Sequence, residues 1–214
     1  MATAIPSIAC IGIIGRNNNP LHIQIFPSHN PSTNTFAPIR TPLQFSLLLS
    51  STLDIFELRH GSNNPSGGGT AAAAAPGSTG TGLSGEVGLL HAVDERLAAY
   101  GWETNTGVKI VVVVDMRGRR VAGGTPGAGG GAGAESTAAG GKGGRGAVGL
   151  REQELRVVFR AVQSAYVRLL QNPFYEPDEH SPVSGRGGRV IKSRKFEGEV
   201  RRIGEGWTPG VTNL

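Results

Sequence analysis

The sequence has few of the residues that mark a cross-linked, metal-bound or membrane-spanning protein. Cys10 is the single cysteine, which excludes an internal disulfide and favours a reducing compartment, the cytoplasm. The five histidines are scattered, and none stands with cysteine at the spacing of a zinc site, so we expect neither a metal nor another cofactor. No apolar run approaches the roughly 20 residues that cross a bilayer.

Acidic residues are missing from the first part of the chain. No aspartate or glutamate precedes Asp54, whereas Arg16 and Arg40 are present. A transit peptide is acid-poor in the same way, but this segment also has the composition of ordered strands, and we favour strands. The N-terminus lacks both the charged region and the long apolar region of a secretory signal, which makes it a poor signal peptide.

Glycine is abundant, and its placement is uneven. Of 34 glycines, eight lie in 61–86 and fourteen in 117–149. These Gly/Ala-rich stretches cannot bury enough apolar surface to offset the entropy of ordering, so we predict two disordered inserts. Residues 176–192 are predicted to form a flexible basic loop. The roughly 155 residues outside the inserts suffice for one core, so 1–214 is predicted to be a single domain.

Outside the inserts, hydrophobic periodicity predicts five strands and three helices. Loop signals, including four prolines, occupy Pro27–Pro42. The order ββαβββαα favours an α+β fold, a five-stranded antiparallel sheet with helices packed on it. The predicted strands are Ser7–Ile14, Leu21–Phe26, Leu89–Val93, Arg96–Glu103 and Val108–Asp115, and the helices are Leu43–Arg59, Leu150–Gln171 and a weaker, glycine-containing one over Phe196–Trp207.

The first predicted helix has two different apolar stripes. One stripe consists of Phe45, Leu49, Thr52 and Phe56. The opposite stripe consists of Leu43, Leu47, Asp54 and Leu58. A helix that is apolar on two sides either is fully buried or faces a core on one side and a partner on the other, and we favour the second. Asp54 is then either an ordinary exposed acid or the polar anchor of an interface.

No catalytic residues are predicted. The segment Gly144–Gly149 fits G-x-G-x-x-G and precedes a helix, but a glycine tract stands where the dinucleotide motif needs a strand. Asp115 ends the strongest strand, where catalytic carboxylates are found, yet no histidine or second carboxylate accompanies it in sequence. We interpret Asp115 as the cap of a turn.

The segment Asn172-Pro-Phe-Tyr175 has three interpretations. Asn-Pro-Phe resembles the ligands of endocytic EH domains, and Asn-Pro-x-Tyr resembles internalisation signals. The third interpretation is structural: the segment stops a helix, and Phe174 and Tyr175 fold back onto the core. We favour the structural interpretation because the segment directly follows the best helix.

Nucleic acid is the alternative partner. The net charge of +5 is modest and does not require it. The run Gly185–Arg189 resembles an RGG-type RNA contact, in which Arg186 and Arg189 would neutralise phosphates. Because it is a single short copy without interleaved aromatic residues, we favour a solvated loop and expect no nucleic acid.

Four segments, in order, resemble the sedlin family. They are Cys10–Phe26, Ser51–Phe56, Gly107–Asp115 and Phe159–Tyr175, and Ser193–Phe196 is similar to the start of the last helix of that family. Three features depart from the family pattern: the two inserts, the glycine content of the last helix, and the length of Pro27–Pro42.

The resemblance implies a longin-like fold and a non-catalytic adaptor subunit of TRAPP, a tethering complex. In that family, TRAPP serves as exchange factor for Rab GTPases in ER-to-Golgi and intra-Golgi transport. The implied location is cytoplasmic and peripheral to Golgi membranes, and the implied partners are other TRAPP subunits. From the two apolar stripes of the first helix, we expect these partners to contact Leu43, Leu47, Asp54 and Leu58. A Rab GTPase would be met only by the assembled complex. Another longin-type module, a SNARE or vesicle-coat subunit, is a further alternative.

Overall fold

The structure is a computed structural model that describes residues 3–31, 33–62, 88–121, 152–175 and 190–214. It contains seven strands and three helices within these ranges. The strands are β1 (Thr3–Ile14), β2 (Pro20–Ile25), β3 (Ser28–Asn30), β4 (Thr35–Ala37), β5 (Gly88–Ala92), β6 (Leu97–Glu103) and β7 (Lys109–Val121). The helices are α1 (Pro42–Ser62), α2 (Glu152–Leu170) and α3 (Arg194–Gly206).

Five strands form the main antiparallel sheet, in the spatial order β2-β1-β7-β6-β5. The hairpin β1–β2 and the meander β5–β6–β7 are joined where β1 pairs with β7, for example at Cys10 and Val113. These strands and the helices follow the predicted order, so the α+β architecture is confirmed.

Strand β7 lies in the middle of the sheet and is buried on both faces. Val111 and Val113 pack in one apolar cluster with the inner face of α1. The alternate residues Ile110, Val112 and Val114 pack in a second cluster with α2 and α3. The continuous apolar sequence of this strand therefore reflects two covering layers, because side chains alternate between faces.

The segment predicted as a loop, Pro27–Pro42, contains a second, two-stranded sheet. Strand β3 pairs with β4, with His29 opposite Phe36. The loop prediction is wrong for these residues because the prolines flank the strands: Pro31 follows β3, and Pro38 follows β4. Proline at those positions removes no hydrogen bond from inside a strand.

The first residues of both predicted inserts belong to regular secondary structure, so the predicted starts at 61 and 117 are wrong. Helix α1 continues to Ser62, and β7 continues to Val121, so 117–121 belong to the sheet. The other residues of the predicted inserts lie outside the described ranges. Within the predicted basic loop, 176–189 also lie outside them, whereas Ile191 is buried and its N–H donates to the carbonyl of Leu21 at 2.8 Å. The final part of that segment is therefore attached to β2.

Helix α3 docks firmly despite its glycines. Ser193 caps its N-terminus by accepting the N–H of Phe196, and Trp207, just after its end, is fully buried. A Cβ atom on Gly204 would lie 2.2 Å from Cζ of Phe26, so the close approach of the helix requires this glycine. Gly204 weakens the helix as a local structure but allows it to pack closely on the sheet.

Candidate functional site

Helix α1 begins at a capping box. The hydroxyl of Thr41 accepts the N–H of Gln44 at 3.3 Å, and the side-chain carbonyl of Gln44 accepts the N–H of Thr41 at 3.0 Å. This reciprocal pair satisfies two backbone donors that a helix start leaves free. The capping box thus fixes the residue at which α1 starts.

The inner face of α1 is anchored on the sheet. Phe45, Leu49 and Phe56 are buried, and Thr52 is buried with its hydroxyl donating to the carbonyl of Leu49 at 2.7 Å. Two strand glycines make room for the helix. A Cβ atom on Gly12 would lie 2.7 Å from the side chain of Leu49, and one on Gly101 would lie 2.5 Å from the ring of Phe56.

The outer face of α1 presents leucines to solvent. Leu43, Leu47 and Leu58 are 70%, 63% and 73% exposed, and Asp54 is exposed among them. With a rise of 1.5 Å per residue, the row spans about 22 Å along the helix. The structure thus places on one surface the four residues that were predicted from the sequence to form an interface. We call this row the outer stripe.

Asp54 has no hydrogen-bond or ion-pair partner within the described ranges, unlike its charged neighbours. Glu57 accepts a hydrogen bond from the side-chain amide of Asn18 at 3.3 Å. Arg59 donates to the backbone carbonyl of Leu89 in the edge strand β5. The outer stripe therefore has a free carboxylate between apolar ends, an arrangement that suits a partner with a cation or an N–H donor between apolar side chains.

Asp115 belongs to a polar cluster with a structural role. Its carboxylate is fully buried and receives two hydrogen bonds from Arg96, each 2.7 Å long, and one from the N–H of Arg117 at 2.9 Å. Arg96 also donates to the backbone carbonyl of His29 at 2.6 Å. The cluster ties β3 to the main sheet, so Asp115 does more than cap a turn.

Asp94, next to this cluster, joins the start of α1 to the β5–β6 turn. It accepts the N–H groups of Arg96 and Leu97 and forms an ion pair with Arg40 at 2.9 Å. Although partial burial alone would raise the pKa of Asp94, these hydrogen bonds and the Arg40 charge hold that pKa below its usual value.

The segment after α2 divides its two aromatic side chains between core and solvent. Tyr175 packs against the core, as predicted. Phe174 is 94% exposed, so the prediction that it folds back is wrong. The turn from Asn172 to Tyr175, which contains Pro173, leaves the Phe174 side chain in solvent.

Other sequence motifs fall outside the described ranges. These are the glycine motif Gly144–Gly149 and the arginines Arg186 and Arg189. Among the residues that the structure does describe, no group of histidine, cysteine and acidic side chains could hold a metal ion. No helix among them is long and apolar enough to cross a membrane.

Sequence reasoning missed Arg96 and the cleft between α2 and α3. The cleft has a volume of about 240 Å³, and Leu169 and Phe196 are among its lining residues. An arginine directly before a strand gives no local signal of its partner, because Asp115 lies 19 residues away. No sequence pattern predicts the cleft either, because the cleft depends on how α2 and α3 are placed relative to each other.

The architecture is a five-stranded antiparallel sheet with one helix on one face and two on the other, beside the small β3–β4 sheet. Residues 13–205 match the family described as Sedlin. Because this match covers most of the chain, the chain belongs to the sedlin family. The longin-like fold that the sequence resemblance implied is confirmed by this membership together with the observed sheet and helices.

Three relatives are similar over nearly their whole length, and each is named trafficking protein particle complex subunit 2-like protein. The one from Dictyostelium discoideum is 24% identical over 199 residues, covering 92% of this chain and 95% of the relative. The one from Bos taurus is 25% identical over 195 residues, covering 89% and 92%. The one from Taeniopygia guttata is 24% identical over 198 residues, covering 91% and 94%.

Proposed function

We propose that this chain is a non-catalytic adaptor subunit of TRAPP, the trafficking protein particle complex. The proposal rests on family membership, on the names of the relatives and on the outer stripe of α1. In it, the chain acts by holding neighbouring subunits in place during ER-to-Golgi and intra-Golgi vesicle transport. It lies in the cytoplasm, peripheral to Golgi membranes.

The outer stripe is the observation that carries this proposal. Leu43, Leu47 and Leu58 each expose more than half of their side-chain surface while the opposite face of the same helix is buried. Removing exposed leucines from water favours binding of a partner, by about 25 cal/mol per Å² of apolar surface buried. We infer that a neighbouring subunit lies along this face, with a basic or N–H group opposite Asp54.

Catalysis is assigned to the assembled complex. Asp115 is the one fully buried carboxylate in the described part of the chain, and its oxygens are occupied by Arg96 and Arg117. A carboxylate that is 0% exposed is out of reach of a substrate in solvent. We therefore expect that exchange on a Rab GTPase needs the complex and that this chain contributes a contact surface.

Affinity purification from cells tests the proposal. Tagged wild-type chain and an Asp54→Arg variant are purified, and TRAPP subunits are quantified by mass spectrometry. Reversing the charge places an unpaired cation in an interface that accommodates an acid, so recovery of subunits should fall about tenfold or more. Leu47→Glu should have the same effect, because it buries a charge.

Two controls separate the interface from the fold. Leu170 is a leucine on α2 with 39% exposure, and Leu170→Glu should leave recovery unchanged. Thermal unfolding of Asp54→Arg should match that of wild type within about 2 °C, since the residue is exposed. Equal recovery by wild type and Asp54→Arg would show that the outer stripe is not the interface. Absence of TRAPP subunits with wild type would contradict the adaptor role itself.

A further inference from the structure

Phe174 is the most exposed large apolar side chain in the described part of the chain, at 94%. A phenylalanine left in water forgoes much of the free energy that burial would provide. It directly follows Asn172 and Pro173, so the exposed ring belongs to an Asn-Pro-Phe sequence. The adaptor role proposed above makes no use of this end of the molecule.

The Asn-Pro-Phe segment is held in a defined turn. The N–H of Tyr175 donates to the carbonyl of Asn172 at 3.0 Å, which closes a β-turn. The side-chain carbonyl of Asn172 accepts the N–H of Phe174 at 3.2 Å. Pro173 fixes the backbone at the second position of the turn. A segment already in its turn loses little conformational entropy on binding.

Tyr175 distinguishes between the two linear motifs in this segment. Its ring packs against the core on the α2 and α3 side of the sheet, whereas the ring of Phe174 extends into solvent. A partner that recognises Asn-Pro-x-Tyr would have to bind the tyrosine ring. Moving that ring out of its packed position would disrupt the core. A partner that reads Asn-Pro-Phe needs only groups that are already accessible.

The surface beside the turn carries two cations, Arg168 and Lys195, and one carboxylate, Glu199. Asn172, Arg168 and Lys195 line the cleft between α2 and α3, which has a volume of about 240 Å³. Arg168 forms an ion pair with Glu199 at 3.2 Å but keeps 63% of its side chain exposed. Within the described ranges Lys195 makes no ion pair with a carboxylate. A partner that accepts Phe174 would therefore gain from acidic side chains next to its pocket.

We propose that the Asn172–Phe174 turn is a docking motif for a small protein domain of the EH class. The domain would enclose the Phe174 ring in an apolar pocket and bind the side-chain amide of Asn172, whose NH₂ group the turn leaves available. Acidic side chains beside the pocket would face Arg168 and Lys195. The chain would thus connect a tethering complex to a second partner, on the face of the sheet opposite the outer stripe.

A titration tests the proposal directly. Purified full-length chain is added to an isotope-labelled EH domain, and chemical-shift changes are followed to saturation. Wild type should bind saturably. Phe174→Ala should weaken binding about 30-fold or more, as truncation of a central aromatic anchor does. Lys195→Glu should weaken it about two- to fivefold, an effect that high salt reduces.

Phe36 provides the matched control. It is the other strongly exposed phenylalanine of the described residues, at 61%, and it lies in β4. Phe36→Ala should bind like wild type, and Phe174→Ala should retain the melting temperature of wild type within about 2 °C. A phosphotyrosine-binding domain serves as the second probe. The proposal is overturned if wild type fails to saturate the EH domain, if Phe174→Ala binds equally well, or if only the second probe binds.

Discussion

Arg96 and Asp115 form a two-pronged ion pair in which the carboxylate is completely buried. Both N–O distances are 2.7 Å, and the side chain of Arg96 is 24% exposed while that of Asp115 is 0% exposed. The same guanidinium donates to the carbonyl of His29. One arginine therefore neutralises a buried charge and attaches the small β3–β4 sheet to the main one.

Removing Arg96 should destabilise the protein strongly. In Arg96→Ala the buried carboxylate loses its counter-charge, and such losses cost about 3–5 kcal/mol. The matched control is Arg40→Ala, which breaks the pair with Asp94, whose members are 42% and 35% exposed. An exposed pair contributes about 0–1 kcal/mol. Urea unfolding monitored by circular dichroism measures both, and similar losses in the two variants would contradict this view of the cluster.

Replacing each of two glycines of α3 by alanine should change the stability of the protein in opposite directions. A Cβ atom on Gly204 would lie 2.2 Å from the buried ring of Phe26, whereas one on Gly198 would meet nothing within 4 Å. Gly198→Ala should stabilise the protein by up to about 1 kcal/mol through helix propensity. Gly204→Ala gains the same propensity but forces the core apart, at a cost of about 1–3 kcal/mol, and should be destabilising. The melting temperature should rise above that of wild type for Gly198→Ala and fall below it for Gly204→Ala. A higher melting temperature for Gly204→Ala would disprove the close contact.

His22 should make stability depend on pH. It lies in β2, with its ring edge-on to Phe196 at 5.3 Å, and its Nε2 atom has no hydrogen-bond partner within the described ranges. Burial lowers the pKa of His22 below the ordinary 6.5, and the nearby charge of Glu197 opposes that shift only in part. The unfolded chain therefore takes up a proton more readily than the folded one.

The direction of the effect follows from this difference. The contribution of His22 is fully present above about pH 6.5 and is lost as the pH falls from there towards the lower pKa of the folded state. Urea unfolding at pH 7.5 and pH 5.5 should show a larger loss for wild type than for His22→Leu, which keeps the apolar contact and cannot titrate. An identical loss in both proteins would exclude His22 as the source.

Features that repeat along the chain with a fixed period could be predicted from the sequence. The two stripes of α1 could be predicted because residues three, four and seven apart share a helix face, and Leu47 and Leu49 indeed lie on opposite sides. The burial of β7 on both faces is consistent with its continuous apolar run, Ile110–Val114, because such runs are typical of strands covered on both sides. Both inferences need nothing beyond local periodicity.

Contacts between residues that are distant in the chain could not be predicted in this way. Arg96 reaches Asp115 and His29, and Gly204 meets Phe26 across nearly the whole sequence. The direction of Phe174 depends on a turn whose hydrogen bonds, from Tyr175 and Phe174 itself, set one aromatic ring against the core and the other in water.

The sequence alone thus determined the order of the five main strands and three helices, the buried and exposed faces of α1 and the absence of an internal disulfide. Local patterns carry this information because side-chain direction repeats with a fixed period in helices and strands. The tertiary structure decided that β3 and β4 pair within a proline-rich segment, that Asp115 is held by Arg96, and that Phe174 remains accessible. These outcomes depend on which elements meet in space, and packing and long-range hydrogen bonds determine that.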